Sequence, residues 1–393
     1  PNIDRLASES VLFEWAFSQA PATAPSQASI FTGLYPSSHR MIEEGSRLSG
    51  EAVTLAEVLS ERGYTTAAFV DGGYMSPGFG LEQGFALYDN SQGGGLATIG
   101  PKAIDWMRQN ASGNFLLLIH TYDVHTPYAP PEPHRSLFLE GLDAPTPGFE
   151  PTAEAMEEVR ASFHEGTPRP LPPADVEYAK ALYDGEIRYV DAWVGEFLDA
   201  LRETGLDKRA TVVLFSDHGE EFQEHGSVLH EKLVTTVIRV PLLVRLPAGA
   251  SAVRLEQVVE MVDLMPTLLD FAGVPLPAHV QGESLVPLLR GEGQPPYIAF
   301  SESPLLGEQR AVALGGYHMI VRKDLEATRL YDLRTDPLEL EDIAGAEPDR
   351  AEVMLRHIRT WEEKVEGFSF EGGEAASVGE ETLEQLKSLG YVQ

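Results

Sequence analysis

The sequence predicts an α/β fold with a largely parallel central sheet and helices on both faces, followed by a small antiparallel subdomain. Short apolar runs rich in β-branched residues alternate with longer segments of helical periodicity, which is typical of successive β–α units. Glycines follow several helical segments, where helix C-termini favour them. The predicted strands cover residues 65–70, 115–120 and 211–216, and the predicted helices cover residues 55–62, 98–109, 178–204 and 265–272.

The remaining segments define the predicted domain organisation. Residues 127–173 are rich in proline and acidic residues and are predicted to form a long excursion with a helix near 152–163, as either a binding loop or an inert insertion. After residues 291–296 the pattern changes to short strands and one helix. The predicted strands there are 297–301, 309–314, 317–322 and 329–333, and the helix is 347–365. We therefore predict a main domain over 1–290, a small α+β subdomain over 291–366, and an acidic tail over 367–393 with a short helix at 381–389.

Composition narrows the classes of function. The chain of 393 residues carries 29 Lys and Arg against 61 Asp and Glu, a formal net charge of −32. Such a field repels phosphate backbones, so nucleic acid is not expected as a partner. The chain has no cysteine, which excludes disulfides, thiolate metal sites and cysteine nucleophiles. We also expect no membrane span, because no apolar run approaches 18 residues.

The first candidate for chemistry is a hydroxyl group at a predicted helix start. Thr23 precedes Pro25, and residues 25–31 are predicted to form the first turns of a helix. The free N–H groups at such a start stabilise an oxyanion or an alkoxide. Thr23 or Ser26 as a simple helix N-cap is the structural alternative.

The second candidate directly follows the predicted strand at 211–216. Asp217 and His218 lie at the carboxyl edge of the sheet, and a carboxylate beside an imidazole suits Zn²⁺, Mn²⁺ or a similar ion. His225 and His230 follow within the same stretch, so three histidines fall within 13 residues. A solvated acidic loop is the alternative reading of this segment.

The third candidate follows the predicted strand at 115–120. His125 reaches the same edge of the sheet and could act as a general acid or as a hydrogen-bond donor to developing charge. His120 fits better as a structural histidine at a strand end. A hydroxyl, a carboxylate–imidazole pair and further imidazoles together predict metal-assisted nucleophilic displacement.

These motifs together resemble the sulfatase family of the alkaline phosphatase superfamily, over nearly the whole chain. The matching segments are residues 1–7, 23–33, 216–220, 239–242, 262–269, 281–285 and 331–337. The resemblance implies an alkaline-phosphatase-like three-layer sandwich. It also implies a divalent metal ion, of which Ca, Mn, Zn and Mg are the candidates.

The resemblance assigns roles to individual residues. Thr23 occupies the nucleophile position and would also bind the metal, with Asp217 and His218 as further ligands. His230 would bind the transferred group, and His125 would contact the substrate or its leaving group. Substrate binding is assigned to Gln27, which replaces the signature arginine, and to His225.

Three departures from the family pattern bear on the substrate. Sulfatases convert a Cys or Ser into formylglycine, and Thr23 cannot become that aldehyde. Gln27 replaces the signature Arg, and residues 69–74 stand where a Lys-x-His motif is expected. We therefore expect a hydrolase or transferase of the sulfatase-like fold, in a branch with a Thr nucleophile, that favours phosphate esters. The alternatives are a sulfuric ester hydrolase without formylglycine and a non-catalytic binding protein.

The resemblance also bears on the start of the chain and on its surroundings. The family carries an acidic pair on a first strand upstream of residues 1–4, so an N-terminal strand and one or two metal ligands are expected to be missing. On that hypothesis this chain binds metal weakly or not at all and can be inactive alone. The expected substrate is a small-molecule, glycan or lipid ester. A periplasmic or extracellular location is slightly favoured, and the oligomeric state is left open.

Overall fold

The computed structural model describes residues 1–42, 45–91, 93–247, 252–293, 297–304, 308–323, 327–370 and 375–391. Parts of two predicted segments lie outside the described residues: 294–296 at the domain boundary, and 371–374 and 392–393 in the tail. The division at 290 and 366 stays a prediction.

The strands of the main domain form two separate sheets and one hairpin. They are β1 (Val11–Phe17), β2 (Thr65–Val70), β3 (Leu87–Asn90), β4 (Phe115–His120), β5 (Val212–Phe215), β6 (Glu221–Phe222), β7 (Val228–Leu229), β8 (Arg239–Arg245) and β9 (Val253–Glu260). One sheet has the order β5-β8-β1-β9 and the other the order β3-β2-β4, while β6 and β7 pair with each other. The second sheet is parallel throughout. In the first, β1 and β9 are parallel, and β8 runs antiparallel to both β1 and β5.

Helices cover both faces of these sheets. They are α1 (Asn2–Ala7), α2 (Thr23–Thr32), α3 (Pro36–His39), α4 (Leu55–Glu61), α5 (Gly95–Asn110), α6 (Ala153–His164), α7 (Pro173–Glu203), α8 (Thr235–Ile238), α9 (Leu264–Phe271), α10 (Val286–Leu289), α11 (Pro348–Glu366) and α12 (Glu380–Ser388). On one face, Ile99 of α5 and Trp193 of α7 pack with Phe69 of β2. On the other face, α4 and α9 pack with Leu116 of β4. The predicted three-layer α/β arrangement is thus confirmed.

The small subdomain lies against the main domain through one face of its sheet. Its antiparallel strands are β10 (Ile298–Ser303), β11 (Gln309–Leu314), β12 (Tyr317–Arg322) and β13 (Ala327–Asp332). One face packs under α11 through Met319, Leu330 and Met354. Ala311 on the opposite face packs with Phe17 of β1. The predicted antiparallel subdomain is therefore confirmed.

The proline-rich excursion packs against the hairpin that follows Asp217. Met156 and Val159 of α6, with Leu182 of α7, share an apolar cluster with Phe222 and Val228. The excursion thus supports the loop that carries the candidate site. In the described part of the chain, every helix is too short or too polar to cross a bilayer.

Candidate active site

Thr23 is the first residue of α2, and its side chain is buried. The preceding Ala22 is extended and provides no side-chain cap, so the free N–H groups of the first turn are not occupied by a cap. Pro25 is tolerated in this turn because its missing N–H would have no partner in the helix. The Ser26 hydroxyl donates to the Asp217 backbone carbonyl at 2.8 Å and so joins α2 to the loop after β5.

His218 faces the hydroxyl group of Thr23. Its Nε2 lies 3.2 Å from Thr23 Oγ1. Its Nδ1 lies 2.9 Å from the Gly219 carbonyl oxygen, which can only accept, so Nδ1 carries the proton. In the neutral ring, Nε2 then carries a lone pair that faces the Thr23 hydroxyl. Thr23 can therefore donate its proton to His218.

Asp217 presents a carboxylate with one unused oxygen. Oδ1 accepts from the His218 backbone N–H at 3.1 Å, whereas Oδ2 is buried with no hydrogen-bond partner among the described residues. Burial alone would raise the pKa of Asp217, but the imidazoles of His218 and His120 bring that pKa below its ordinary value. The side chain is thus an anion available to a cation.

Two more buried polar side chains near Asp217 have unused atoms. Gln27 Oε1 and His120 Nδ1 find no partner among the described residues. The side chains of Gln27 and His120 both help to lower the pKa of Asp217. Because buried polar atoms are normally satisfied, these atoms mark a place for water, an ion or substrate.

His230 and Glu220 form a second layer behind His218. The His218 and His230 rings stack with centroids 4.1 Å apart. His230 Nδ1 lies 3.2 Å from Glu220 Oε1, and Glu220 Oε2 accepts from the Tyr128 hydroxyl at 2.9 Å. Burial lowers the pKa of His230 and raises the pKa of Glu220.

His125 is linked to Thr23 through the Tyr391 hydroxyl. Its Nδ1 donates to the Thr126 carbonyl at 2.7 Å, so its Nε2 is an acceptor and receives the Tyr391 hydroxyl at 2.7 Å. Burial lowers the pKa of His125 to about 3, so the ring is neutral at pH 7. The Tyr391 hydroxyl also lies 3.5 Å from Thr23 Oγ1.

The structure brings Thr23, Gln27, His125, Asp217, His218 and His230 into one region, while the contacts of His225 lead elsewhere. His225 Nε2 lies 2.8 Å from the Leu338 carbonyl of the small subdomain, and Nδ1 faces Glu221. The Glu221 carboxylate raises the pKa of His225 above its ordinary value, although burial opposes it. A substrate-binding role for His225 and the roles of the other residues stay predictions.

Sequence reasoning missed Tyr391 and the use of Glu220. Glu220 lies in the segment for which a solvated acidic loop is the alternative reading, and its position two residues after His218 carries no further signal. Tyr391 lies 368 residues after Thr23, in a segment predicted to be an acidic tail, so its contact could come only from the fold.

The donor set suits a divalent cation in part. Asp217 offers a carboxylate and Gln27 an amide oxygen, both of which such ions accept, whereas the one free lone pair of His218 already faces Thr23. The unpartnered buried Asp217 Oδ2 and Gln27 Oε1 favour this use. Within the described ranges, however, no three His, Asp or Glu side chains converge as a complete metal site.

Glu186 of α7 supports the loop after His125, and its burial should make the stability of the protein depend on pH. Its Oε1 accepts from the Ala129 backbone N–H at 2.7 Å, and Oε2 is buried without a partner among the described residues. Burial raises the pKa of Glu186 to about 9. The folded state therefore keeps a proton that the unfolded state loses, so stability falls as pH rises towards that value.

We expect Glu186→Gln to remove this pH dependence. The amide keeps an acceptor for Ala129 and does not ionise. As pH rises, the free energy of unfolding of the variant should therefore increase relative to that of wild type by up to about 1.4 kcal/mol per pH unit. Urea unfolding between about pH 5 and 8 measures the difference. Glu177→Gln, on an exposed site of the same helix, is the matched control. Parallel pH curves for Glu186→Gln and wild type would contradict the prediction.

Comparison with known proteins agrees with this architecture. Residues 1–274 match the Sulfatase family model, and residues 223–364 match the model of the C-terminal region of N-sulphoglucosamine sulphohydrolase. Arylsulfatase K of Xenopus laevis is 24% identical, over 92% of this chain and 77% of the relative. An N-acetylglucosamine-6-O-sulfatase of Bacteroides thetaiotaomicron is 24% identical, over 88% and 78% of the two chains.

Solved structures share the fold. A protein solved in complex with its substrate, D-glucosamine-2-N,6-O-disulfate, aligns with a TM-score of 0.79 and 20% identity, over 93% of each chain. The phosphonate monoester hydrolase of Silicibacter pomeroyi aligns with a TM-score of 0.78 and 20% identity, over 97% of this chain and 93% of that one. With a family model matched over more than half its length, the chain belongs to the sulfatase family of ester hydrolases, within the alkaline phosphatase superfamily.

Proposed function

We propose that the chain hydrolyses an oxyacid ester, with phosphate favoured over sulfate, through nucleophilic attack by Thr23. One observation carries this proposal. Thr23 Oγ1 lies 3.2 Å from His218 Nε2, and the Gly219 carbonyl fixes the tautomer in which that nitrogen accepts. A nucleophile next to an oriented base is the arrangement that covalent catalysis requires.

The reaction follows from the contacts of Thr23. Its hydroxyl gives its proton to His218 Nε2 while Oγ1 forms a bond to phosphorus, and the ester oxygen leaves with the bonding electrons. The free N–H groups of the first turn of α2 face the developing negative charge. A divalent cation held by Asp217 and Gln27 would supply further positive charge to the reacting group, while the single free lone pair of His218 serves as the base for Thr23.

The leaving group meets a neutral His125. Because burial keeps the pKa of His125 near 3, the ring does not act as a cationic acid at pH 7. The departing oxygen then takes its proton from water, which favours esters of acidic alcohols such as phenols. The hydroxide left by that proton transfer takes the proton held on His218, which returns the ring to its neutral form. Water, or an acceptor alcohol in a transferase, then attacks the phosphothreonine and gives its proton to His218, which passes it to the departing Thr23 oxygen.

The chemistry of threonine favours phosphate over sulfate. In an aldehyde hydrate one oxygen carries the sulfate, and the second hydroxyl loses its proton and collapses to the aldehyde, which breaks the C–O bond to the sulfate. Thr23 carries a methyl group on Cβ and cannot form that hydrate. A phosphothreonine needs no such route because water can attack at phosphorus. Stabilising its equatorial oxygens by nearby positive charge then becomes the main requirement.

A sulfated sugar is the second candidate substrate. The relatives include an N-acetylglucosamine-6-O-sulfatase, and one structural neighbour was solved with a disulfated glucosamine. In this reading, water activated near Asp217 attacks sulfur directly, and Thr23 orients the sulfate without bonding to it.

A parallel assay separates the candidates. We expect p-nitrophenyl phosphate or phenylphosphonate esters to be turned over faster than p-nitrophenyl sulfate or glucosamine-6-sulfate, with Mn²⁺, Ca²⁺, Zn²⁺ or Mg²⁺ supplied in separate reactions. Chelation by EDTA should reduce the rate. Faster release of sulfate would favour the second candidate, and no turnover with any metal would contradict both.

A further inference from the structure

The segment 375–391, here called the strap, runs from the small subdomain back across the main domain. The Ala376 backbone N–H donates to the Gly45 carbonyl at 2.7 Å, and Ala375 forms a bridge with Ser46. The strap continues into α12 and ends beside Thr23 at Tyr391. A stretch predicted to be a tail is therefore part of the wall of the site.

The main domain is shaped to receive the strap. Gln385 of α12 accepts from the Gly73 backbone N–H at 2.7 Å and donates to the Asp71 carbonyl. Leu386 is buried in the same apolar cluster as the core of the main domain. A Cβ on Gly78 would lie 2.6 Å from the Ser377 carbonyl oxygen, so only glycine leaves room for the strap there. These contacts hold α12 in one register.

The position of α12 places the Tyr391 side chain between His125 and Thr23. Its ring packs against Tyr74 with centroids 4.7 Å apart. Its hydroxyl donates to His125 Nε2 at 2.7 Å and lies 3.5 Å from Thr23 Oγ1. Reacting atoms in a productive complex are about 3–3.5 Å apart. The Tyr391 hydroxyl thus lies at the distance from Thr23 Oγ1 at which the electrophilic atom of a substrate would lie.

We propose that the strap is autoinhibitory: with Tyr391 in place the site is closed, and the phosphate or sulfate group of a substrate can bind beside Thr23 only after Tyr391 withdraws. This inference rests on the proposed function in using Thr23 as the attacking group. The closed state also blocks His125, because Nε2 has one lone pair and Tyr391 uses it. Substrate binding and strap docking then compete for the same space, so each weakens the other.

Binding of inorganic phosphate tests the competition without requiring turnover. We expect Tyr391→Ala to bind inorganic phosphate at least about fivefold more tightly than wild type, since a hydrogen bond and a partly buried ring no longer oppose binding. Gln385→Ala, which loosens the strap away from the reacting atoms, should change affinity in the same direction. Leu383→Ala, an exposed and uncharged position on the same helix, is the matched control. Isothermal titration calorimetry gives the affinities.

Hydrogen exchange provides a second measurement on the intact chain. Saturating inorganic phosphate should accelerate amide exchange in residues 380–391 of wild type and leave exchange in α5 unchanged. Unchanged phosphate affinity in both Tyr391→Ala and Gln385→Ala, or weaker affinity, would overturn the strap proposal, as would slower exchange of 380–391 with phosphate. If phosphate affinity rises in these variants but no ester is cleaved, the strap stands and the proposed function falls. If ester cleavage depends on Thr23 but the phosphate affinity of both variants is unchanged, the proposed function stands and the strap proposal falls.

Discussion

Replacing Thr23 with alanine should lower kcat/KM for the best ester substrate by about 10³- to 10⁶-fold, the range seen when a covalent nucleophile is removed. The loss follows from the site geometry. Among the described residues, Thr23 supplies the hydroxyl that lies within hydrogen-bond distance of His218 Nε2, with Oγ1 at 3.2 Å. The protein should still fold, because the deleted atoms are one hydroxyl and one methyl at the start of α2. Steady-state rates and circular dichroism measure the two effects.

Thr23→Ser is the matched control for the nucleophile. It keeps the hydroxyl facing His218 and removes only the methyl group, so we expect activity within about tenfold of wild type. Mass spectrometry of rapidly quenched wild type should find a covalent phosphoryl adduct on Thr23. Near-normal turnover by Thr23→Ala would show that another group attacks the ester.

Replacing Glu339 with alanine should lower the free energy of unfolding by about 3–5 kcal/mol, because it breaks a buried pair and leaves its partners unsatisfied. Glu339 hydrogen bonds to His318 of β12, and its second oxygen accepts from the Thr235 backbone N–H at 2.8 Å. Both His318 and Glu339 are almost fully buried. The pair thus joins the small subdomain to the first residue of α8.

Glu339→Gln separates the loss of these bonds from backbone strain. Glu339 has a positive φ of 58°, and alanine and glutamine carry the same strain there. Glutamine keeps one acceptor, so it should destabilise clearly less than alanine in guanidinium unfolding. A loss below about 1 kcal/mol for Glu339→Ala would show that the pair adds little to stability.

The sequence predicted the elements whose pattern is local. The strands β2, β4, β11 and β12 were located within a residue of their ends, as was α11, because apolar runs and flanking turns define them. By contrast, β1, β8 and β9 were not predicted. Val11 pairs with Val244 and with Val253, so these strands are defined by distant partners rather than by their own pattern.

The site residues that follow the end of a predicted strand could be identified from the sequence. Asp217 and His125 follow β5 and β4, which belong to different sheets, and the carboxyl ends of strands are where α/β proteins commonly place site residues. Their meeting with Thr23 was therefore expected. His225 carried the same sequence signal as His230, but the β6–β7 hairpin turns it towards Leu338. Only the path of the chain distinguishes the two histidines.

The pairing of β1 with β8 and β9 has a consequence for synthesis. While the ribosome extends the chain from residue 17 to residue 244, the nascent β1 has neither of its neighbours. At ordinary elongation rates this interval lasts roughly 10–50 s. During that time the apolar stretch Val11–Phe17 can associate with other polypeptides. We therefore expect a chaperone to engage this stretch during translation, and overexpression without one to yield inclusion bodies.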